Sequence, residues 1–177
     1  MKNVLLMALL LMVGTVTAQK INWMTMDEAL AAQEKTPKKI FMDVYTVWCG
    51  PCKMMDRDTF SDKNVIEFIN ENYYAVKFNA EGPEEITYQG FTYTNPNYQP
   101  ARKGRNAVHF FADALKLQGY PSIVFFEEDG KLIQALVGYR NPKEIEIYLK
   151  MIANDDYKEL TTVEAWESYQ ENFKGTF

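Results

Sequence analysis

The chain has two cysteines, and they stand together in Trp48-Cys49-Gly50-Pro51-Cys52. The apolar run Ile40-Phe41-Met42-Asp43-Val44-Tyr45 precedes them, and the helical-looking Lys53-Met54-Met55-Asp56-Arg57 follows. A Cys-x-x-Cys at a strand-to-helix junction has a chemical logic. The first sulfur falls at the helix N-terminus, where unpaired N–H groups and the helix dipole favour negative charge. That lowers its pKa below the free value of roughly 8.5 and makes it a nucleophilic thiolate. The second sulfur, one turn in, is placed to close a small disulfide ring, and Pro51 suits a first helical turn because its missing N–H would be unpaired anyway. Cys49, at the helix start, is expected to be the more exposed and the attacking residue, with Cys52 resolving the mixed disulfide. A structural zinc site needs four ligands, and His109 is the single histidine. An inert disulfide leaves Trp48 and the Gly50-Pro51 pair without a purpose.

The first residues have the three parts of a secretory signal: Lys2, an apolar stretch from Val4 to Val13, and small residues up to Ala18. Cleavage after Ala18 is expected. A membrane anchor is the alternative, but the stretch is shorter than the ~20 residues that span a bilayer. Disulfides persist outside the cytosol, yet the cysteines number only two, so they serve exchange rather than stapling. A net charge of −5 over 177 residues argues against nucleic acid as a partner.

Along the rest of the chain, Thr25 and Glu28 form a capping box that opens a helix to about Lys35, with Met26, Ala29, Leu30 and Gln33 on one face. Residues 40–45 form a buried central strand. A second helix follows Asp62, carrying Val65, Ile66 and Ile69, and residues 73–80 form the next strand. Residues 82–107 are too long for an ordinary connection. Within them, residues 86–88 and 91–93 pair as a hairpin, and Thr94-Asn95-Pro96-Asn97 turns. This insertion is either a surface excursion that packs its tyrosines or a partner-docking loop near the cysteines; Arg102-Lys103-Gly104-Arg105 makes it locally basic. Residues 108–117 are expected to be helix, and residues 123–126 and 132–137 to be strands joined at Asp129-Gly130. Asn141 and Pro142 start a helix that buries Ile145, Tyr148, Leu149 and Ile152. Thr161 and Glu164 suggest a second capping box before a last helix, which packs on the same domain or forms a dimer contact; a monomer is favoured. His109 is expected to be an ordinary surface or core histidine.

The Trp-Cys-Gly-Pro-Cys motif after an apolar strand resembles the active site of the thioredoxin family. The opening Trp23-x-x-x-x-Glu28-Ala29-Leu30 and the Thr59-Phe60-Ser61-Asp62-x-x-Val65 after the motif are similar to one branch, the thioredoxin-like modules of transmembrane electron carriers. The resemblance implies an α/β thioredoxin fold. A central mixed sheet would be flanked by helices, with an insertion before the cis-proline helix and an extra C-terminal helix. Residues 1–18 would be the signal, 19–154 the domain and 155–177 a helical extension. It further implies that Asp43 is a buried acid behind the dithiol that takes the proton of Cys52, that Lys77 neighbours this acid, and that Tyr120-Pro121 is a cis-proline turn facing the dithiol. There, Tyr120 would offer its backbone to an extended substrate. Tyr120 is bulkier than the residues common at that position, and Tyr45 stands where many members carry Trp. Trp48, Gly50 and Pro51 would border the substrate.

The function so implied is a periplasmic thiol–disulfide oxidoreductase that reduces protein disulfides, since Gly-Pro between the cysteines is similar to reducing thioredoxins. A membrane electron donor is expected, and no organic cofactor or metal is implied. A disulfide oxidase or isomerase is the enzymatic alternative. A peptide- or partner-binding module with an incidental dithiol is the non-enzymatic one.

Overall fold

The computed structural model describes residues 19–177; residues 1–18, where the export signal is expected, lie outside the described residues. In chain order the elements are β1 (Trp23–Met24), α1 (Met26–Gln33), β2 (Ile40–Tyr45), α2 (Gly50–Asp58), α3 (Lys63–Asn72), β3 (Tyr74–Asn79), β4 (Ile86–Tyr88) and β5 (Phe91–Tyr93). They continue with α4 (Phe110–Ala114), β6 (Ser122–Phe126), β7 (Leu132–Val137), α5 (Pro142–Ala153), a 3-10 turn (Asp156–Lys158) and α6 (Val163–Asn172). Five strands form one mixed sheet in the order β1-β3-β2-β6-β7, and β4-β5 form a separate hairpin. β1, β3 and β2 run parallel, whereas β6 is antiparallel to β2 and β7 to β6. This is the thioredoxin fold implied by the motif, with the extra C-terminal helix.

β2 lies in the middle and is apolar on both faces, as a strand covered on both sides must be. Alternation along it divides the interior in two. Phe41 joins Ile123, Phe125, Met55 of α2, Ile69 of α3 and Leu149 of α5 on one face. Ile40, Met42 and Val44 join Met26 of α1, Phe78, Val124 and Phe111 of α4 on the other. The hairpin contributes Ile86 and Tyr88 to that second core, and Tyr88 and Tyr93 both pack on Phe111. The insertion therefore packs its tyrosines into the domain.

Local signals account for most boundaries. Thr25 and Glu28 make the reciprocal capping box of α1. Asn141 caps α5 with Pro142 in its first turn, and Glu144 completes a box there too. Gly130, at φ +76°, closes the β6–β7 connection where an added Cβ would come within 3.0 Å of Leu30. Three expectations need correction. The helix expected over residues 108–117 shortens to α4, because His109 is extended and caps it through Nδ1, accepting from the Phe111 N–H at 3.0 Å, and because Lys116 at φ +54° ends the run. The last helix is capped by Thr162, not by a Thr161–Glu164 box: Thr162 Oγ1 accepts from the Ala165 N–H. Finally, β1 was not expected; two residues are too few for alternation to register.

The C-terminal residues pack on the same domain, the first of the two expected outcomes. Trp166 lies 5.6 Å from Tyr148 of α5, and Tyr169 donates to Asp156 at 2.8 Å. Buried Glu146 accepts from Thr176 N–H (2.5 Å), Phe177 N–H (3.1 Å) and Lys150 (2.6 Å).

Phe41 touches Trp23, Phe60, Tyr73 and Phe125, with ring centroids 5.7–6.2 Å apart. Phe41→Ala is therefore expected to cost about 3–5 kcal/mol of unfolding free energy. Urea denaturation followed by circular dichroism reads this directly; a loss below about 1 kcal/mol would mean that the cluster does not hold the sheet.

Candidate active site

The end of β2 feeds directly into the cysteines. Cys49 is the N-cap of α2, in an extended conformation, and its Sγ accepts the Cys52 N–H at 3.1 Å. Gly50 and Pro51 form the exposed first turn. The two sulfurs are joined as a disulfide (S–S 2.05 Å, Cα–Cα 5.3 Å). Cys49 is 2% and Cys52 4% exposed, so Cys49 is not the more exposed of the pair: the bond ties the sulfurs together and neither projects. What distinguishes Cys49 is its helix-terminal position. The Cys52 N–H and the dipole of α2 both favour a thiolate there once the bond is reduced.

Asp43 lies behind α2, linked to it through Lys77 and Asp56. Alternation places it on the Phe41 face of the sheet, the face that α2 covers through Met55. It is 2% exposed. Its Oδ2 accepts from Lys77 Nζ at 2.8 Å, and Oδ1 is buried without a partner among the described residues. Burial drives its pKa up, the Lys77 charge draws it partly back, and the net is a carboxyl raised to about 6. Lys77 and Asp43 face each other in register across β3 and β2. Burial pushes the Lys77 ammonium down, but Asp43 and Asp56 outweigh it and hold the group above the usual lysine value. Lys77 also bonds Asp56 of α2, and its Nζ sits over the rings of Trp23 (4.9 Å), Tyr45 (5.1 Å) and Phe60 (5.6 Å). Its ammonium thus bridges a buried acid and a half-exposed one inside an aromatic cage.

On the other side, Trp48 is fixed by three contacts. Its Nε1–H donates to Glu81 Oε2 at 2.8 Å, Tyr120 meets its ring edge-on at 6.3 Å, and the Arg105 guanidinium lies 4.1 Å from its ring centre. The same Glu81 oxygen accepts from the Asn106 N–H at 2.7 Å. The Tyr120-Pro121 peptide is cis. Pro121 O is used by the Gly138 N–H at 2.8 Å, whereas the Tyr120 N–H and C=O make no backbone hydrogen bond among the described residues. A strand-adding partner would find them open. The insertion thus both packs on the domain and reaches Trp48, the residue before Cys49.

The structure brings together Cys49, Cys52, Gly50 and Pro51 on α2, Asp43 and Lys77 behind it, and Trp48 with Tyr120 in front. Sequence reasoning missed Asp56, Glu81 and Asn106, and it singled out Arg105 only as part of a basic cluster. Asp56 had a signal: four residues after Cys52, it lies one helical turn on along the same side. Glu81 and the Arg105-Asn106 pair come together only through a long-range fold of the insertion. His109 is buried, with Nε2 donating to Glu84 O at 2.7 Å, and so ties the insertion to α4. Among the described residues, no cluster of three or more His, Cys, Asp or Glu is placed to hold a metal, and no helix is long and apolar enough to cross a membrane.

A redox-active Cys-x-x-Cys at a helix N-terminus, on this sheet, defines a thiol–disulfide oxidoreductase of the thioredoxin-like class. The chain belongs to the thioredoxin-like domain family, whose model matches residues 26–153. It is 26% identical over 122 residues to the thiol:disulfide interchange protein DsbD of Pectobacterium atrosepticum, a match that covers 68% of this chain and 17% of that protein. The chain therefore corresponds to a small part of that relative. Among solved structures, it resembles a thioredoxin-fold protein from Helicobacter pylori (TM-score 0.58, 16% identity, 84% of each chain). It also resembles a thioredoxin from Thermus thermophilus (TM-score 0.55, 18% identity, 75% of this chain and 87% of that one). At these identities the structural likeness concerns the fold.

The Asp43 environment has a measurable consequence. Its folded pKa is raised from 3.8 to about 6, so between these values the folded protein holds a proton that the unfolded chain has lost. The stability contributed by this carboxyl is present below pH ~4 and is lost as pH rises through ~6. Asp43→Asn is expected to stabilise the oxidised protein at pH 7 by about 2–3 kcal/mol, with the gain vanishing near pH 4. Chemical denaturation at the two pH values checks this; equal effects at both would mean that the carboxyl is not perturbed by burial.

Proposed function

We propose that this protein reduces disulfide bonds in protein substrates outside the cytoplasm, and that it is recharged by a membrane-bound electron donor. The observation that carries the reading is the pairing of a helix-terminal sulfur, Cys49, with a buried acid, Asp43, behind the same helix turn. The Cys49 thiolate attacks a substrate disulfide; one S–S bond forms as the other breaks, and the departing substrate thiolate takes up a proton. Cys52 then gives its proton to Asp43, which above pH ~6 is ionised and able to accept it, and attacks Cys49 Sγ. The second substrate sulfur leaves as a thiolate and takes up a proton, Asp43 gives up the one it accepted, and the protein is left as the disulfide. Two electrons and two protons have passed to the substrate. Lys77 holds Asp43 in position and, with Asp56, links it to the half-exposed side of α2.

The export signal expected over residues 1–18, the domain over 19–154 and the extension over 155–177 complete the reading, which takes the protein as a monomer. The direction is supported by Gly50-Pro51 between the cysteines. The membrane donor is supported by the similarity to a thiol:disulfide interchange protein, whose matched region is a small part of a much longer chain.

Equilibration of the Cys49–Cys52 pair in defined thiol–disulfide buffers tests the direction. A potential near about −270 mV is expected, and one of about −120 to −180 mV would make the protein an oxidase or isomerase instead. The same preparation tests the roles of the two sulfurs: reduced Cys52→Ser is expected to trap a mixed disulfide with substrate, and reduced Cys49→Ser to trap none. Activity that survives loss of both cysteines would turn the reading to a binding module.

A further inference from the structure

The insertion places a basic loop on the rim of the site. Gln99 and Asn106 close its base, with the Gln99 N–H donating to Asn106 Oδ1 at 3.0 Å and Asn106 Nδ2 donating to Gln99 O at 2.9 Å. The base is anchored on Glu81 through the Asn106 N–H, the same carboxylate oxygen that holds Trp48. Between the base residues lie Arg102, Lys103 and Arg105, all exposed and none in an ion pair among the described residues. Three exposed cations within four residues stand out on a chain of net charge −5. The carboxylate at the base, Glu81, is already engaged by two donors.

Arg105 has a defined posture. Its guanidinium rests on the face of Trp48, 4.1 Å from the ring centre, and its N–H groups donate to no atom among the described residues. A guanidinium whose N–H groups are unengaged keeps its edge available, and that edge matches a carboxylate with two parallel hydrogen bonds. Trp48 is the residue before Cys49, so this open fork borders the nucleophile. Tyr120 also packs on Trp48, and its free backbone groups suit an extended chain.

We propose that Arg105, supported by Arg102 and Lys103, is a carboxylate receptor that directs the dithiol to disulfides flanked by Asp or Glu in the substrate protein. The proposal rests on the exchange chemistry above and adds its substrate class. The stacked fork would bind the flanking carboxylate directly, while the neighbouring cations raise the encounter rate with an acidic segment.

The test uses the reduced full protein and three cyclic disulfide peptides that differ only in carrying Glu, Gln or Lys beside each cysteine. Their rates of reduction are compared as kcat/KM. At about 0.01 M ionic strength, where charges are felt over about 30 Å, the Glu peptide is expected to react about 10-fold faster than the Lys peptide. At about 1 M, where the range falls to about 3 Å, the ratio should shrink to about 2-fold. This salt series needs no variant. In Arg105→Gln the low-salt ratio should fall toward about 2-fold, and Arg105→Lys, which keeps the charge but not the fork, should lie between. Equal rates for the three peptides would overturn the proposal and leave the exchange reading standing. A preference unchanged in Arg105→Gln would overturn the assignment to this residue. Failure to reduce any of the peptides would overturn the reductase reading and this proposal with it.

Discussion

A carboxyl group in the middle of a protein is costly unless something holds it, and this fold is arranged around one. Asp43 sits in the central strand, with apolar residues before and after it, and its one direct partner is the ammonium of Lys77 in the adjacent strand. That pair does not neutralise the cost completely: one oxygen stays unpartnered and the proton affinity stays high. The surroundings must then be rigid enough to keep the group in place. The aromatic cluster of Trp23, Phe41, Phe60, Tyr73 and Phe125 provides that rigidity, and three of the rings around Lys77 hold its charge by their faces. This buried acid is thus a liability for folding that the surrounding packing offsets.

The elements that depend on this pair were mostly legible in the sequence, because their signals are local. The apolar run at residues 40–45 and the Cys-x-x-Cys after it place a strand and a helix start. The boxes at Thr25 and Asn141 place two more helices, and the turn at Asp129-Gly130 a hairpin. The hidden partners are those made by residues far apart in the chain. Neither the two-residue strand at Trp23–Met24 nor the engagement of Glu81 by both Trp48 and Asn106 leaves a periodic trace. The shortened helix α4 fails for a different reason. The apolar pattern around residues 108–117 is genuine, but His109 uses its ring to cap the helix and to fasten Glu84 of the insertion, so tertiary contacts overrode the local pattern.

The insertion both fills the core and reaches the rim of Trp48. Its hairpin sends Ile86 and Tyr88 into the core beside Phe111 and Phe126. Buried Asn95 then ties its two arms, donating to Gly82 O at 3.1 Å and to Ala107 O at 2.8 Å. With both arms fastened, ordering the loop between Gln99 and Asn106 costs less entropy than closing a free segment of the whole insertion's length. A surface excursion and a loop beside the cysteines are therefore not competing descriptions: the first is the physical condition for the second.

Front and back of the site are then held by different chemistry. Behind α2, a strand-to-strand ion pair offsets part of the burial of Asp43. In front, Glu81 holds the indole and the base of the basic loop with a single oxygen. Both devices begin on β3 or just beyond its end: Lys77 faces inward toward Asp43, and Glu81 follows two residues after the strand closes at Asn79. Because β3 is bonded in parallel register to β2 over six residue pairs, any shift of one strand against the other would part Lys77 from Asp43 and Glu81 from Trp48 together. A one-residue slip would also turn Lys77 to the opposite face. The register of these two strands is thus the geometric constraint that keeps the ion pair behind α2 and the anchored indole in front of it in step.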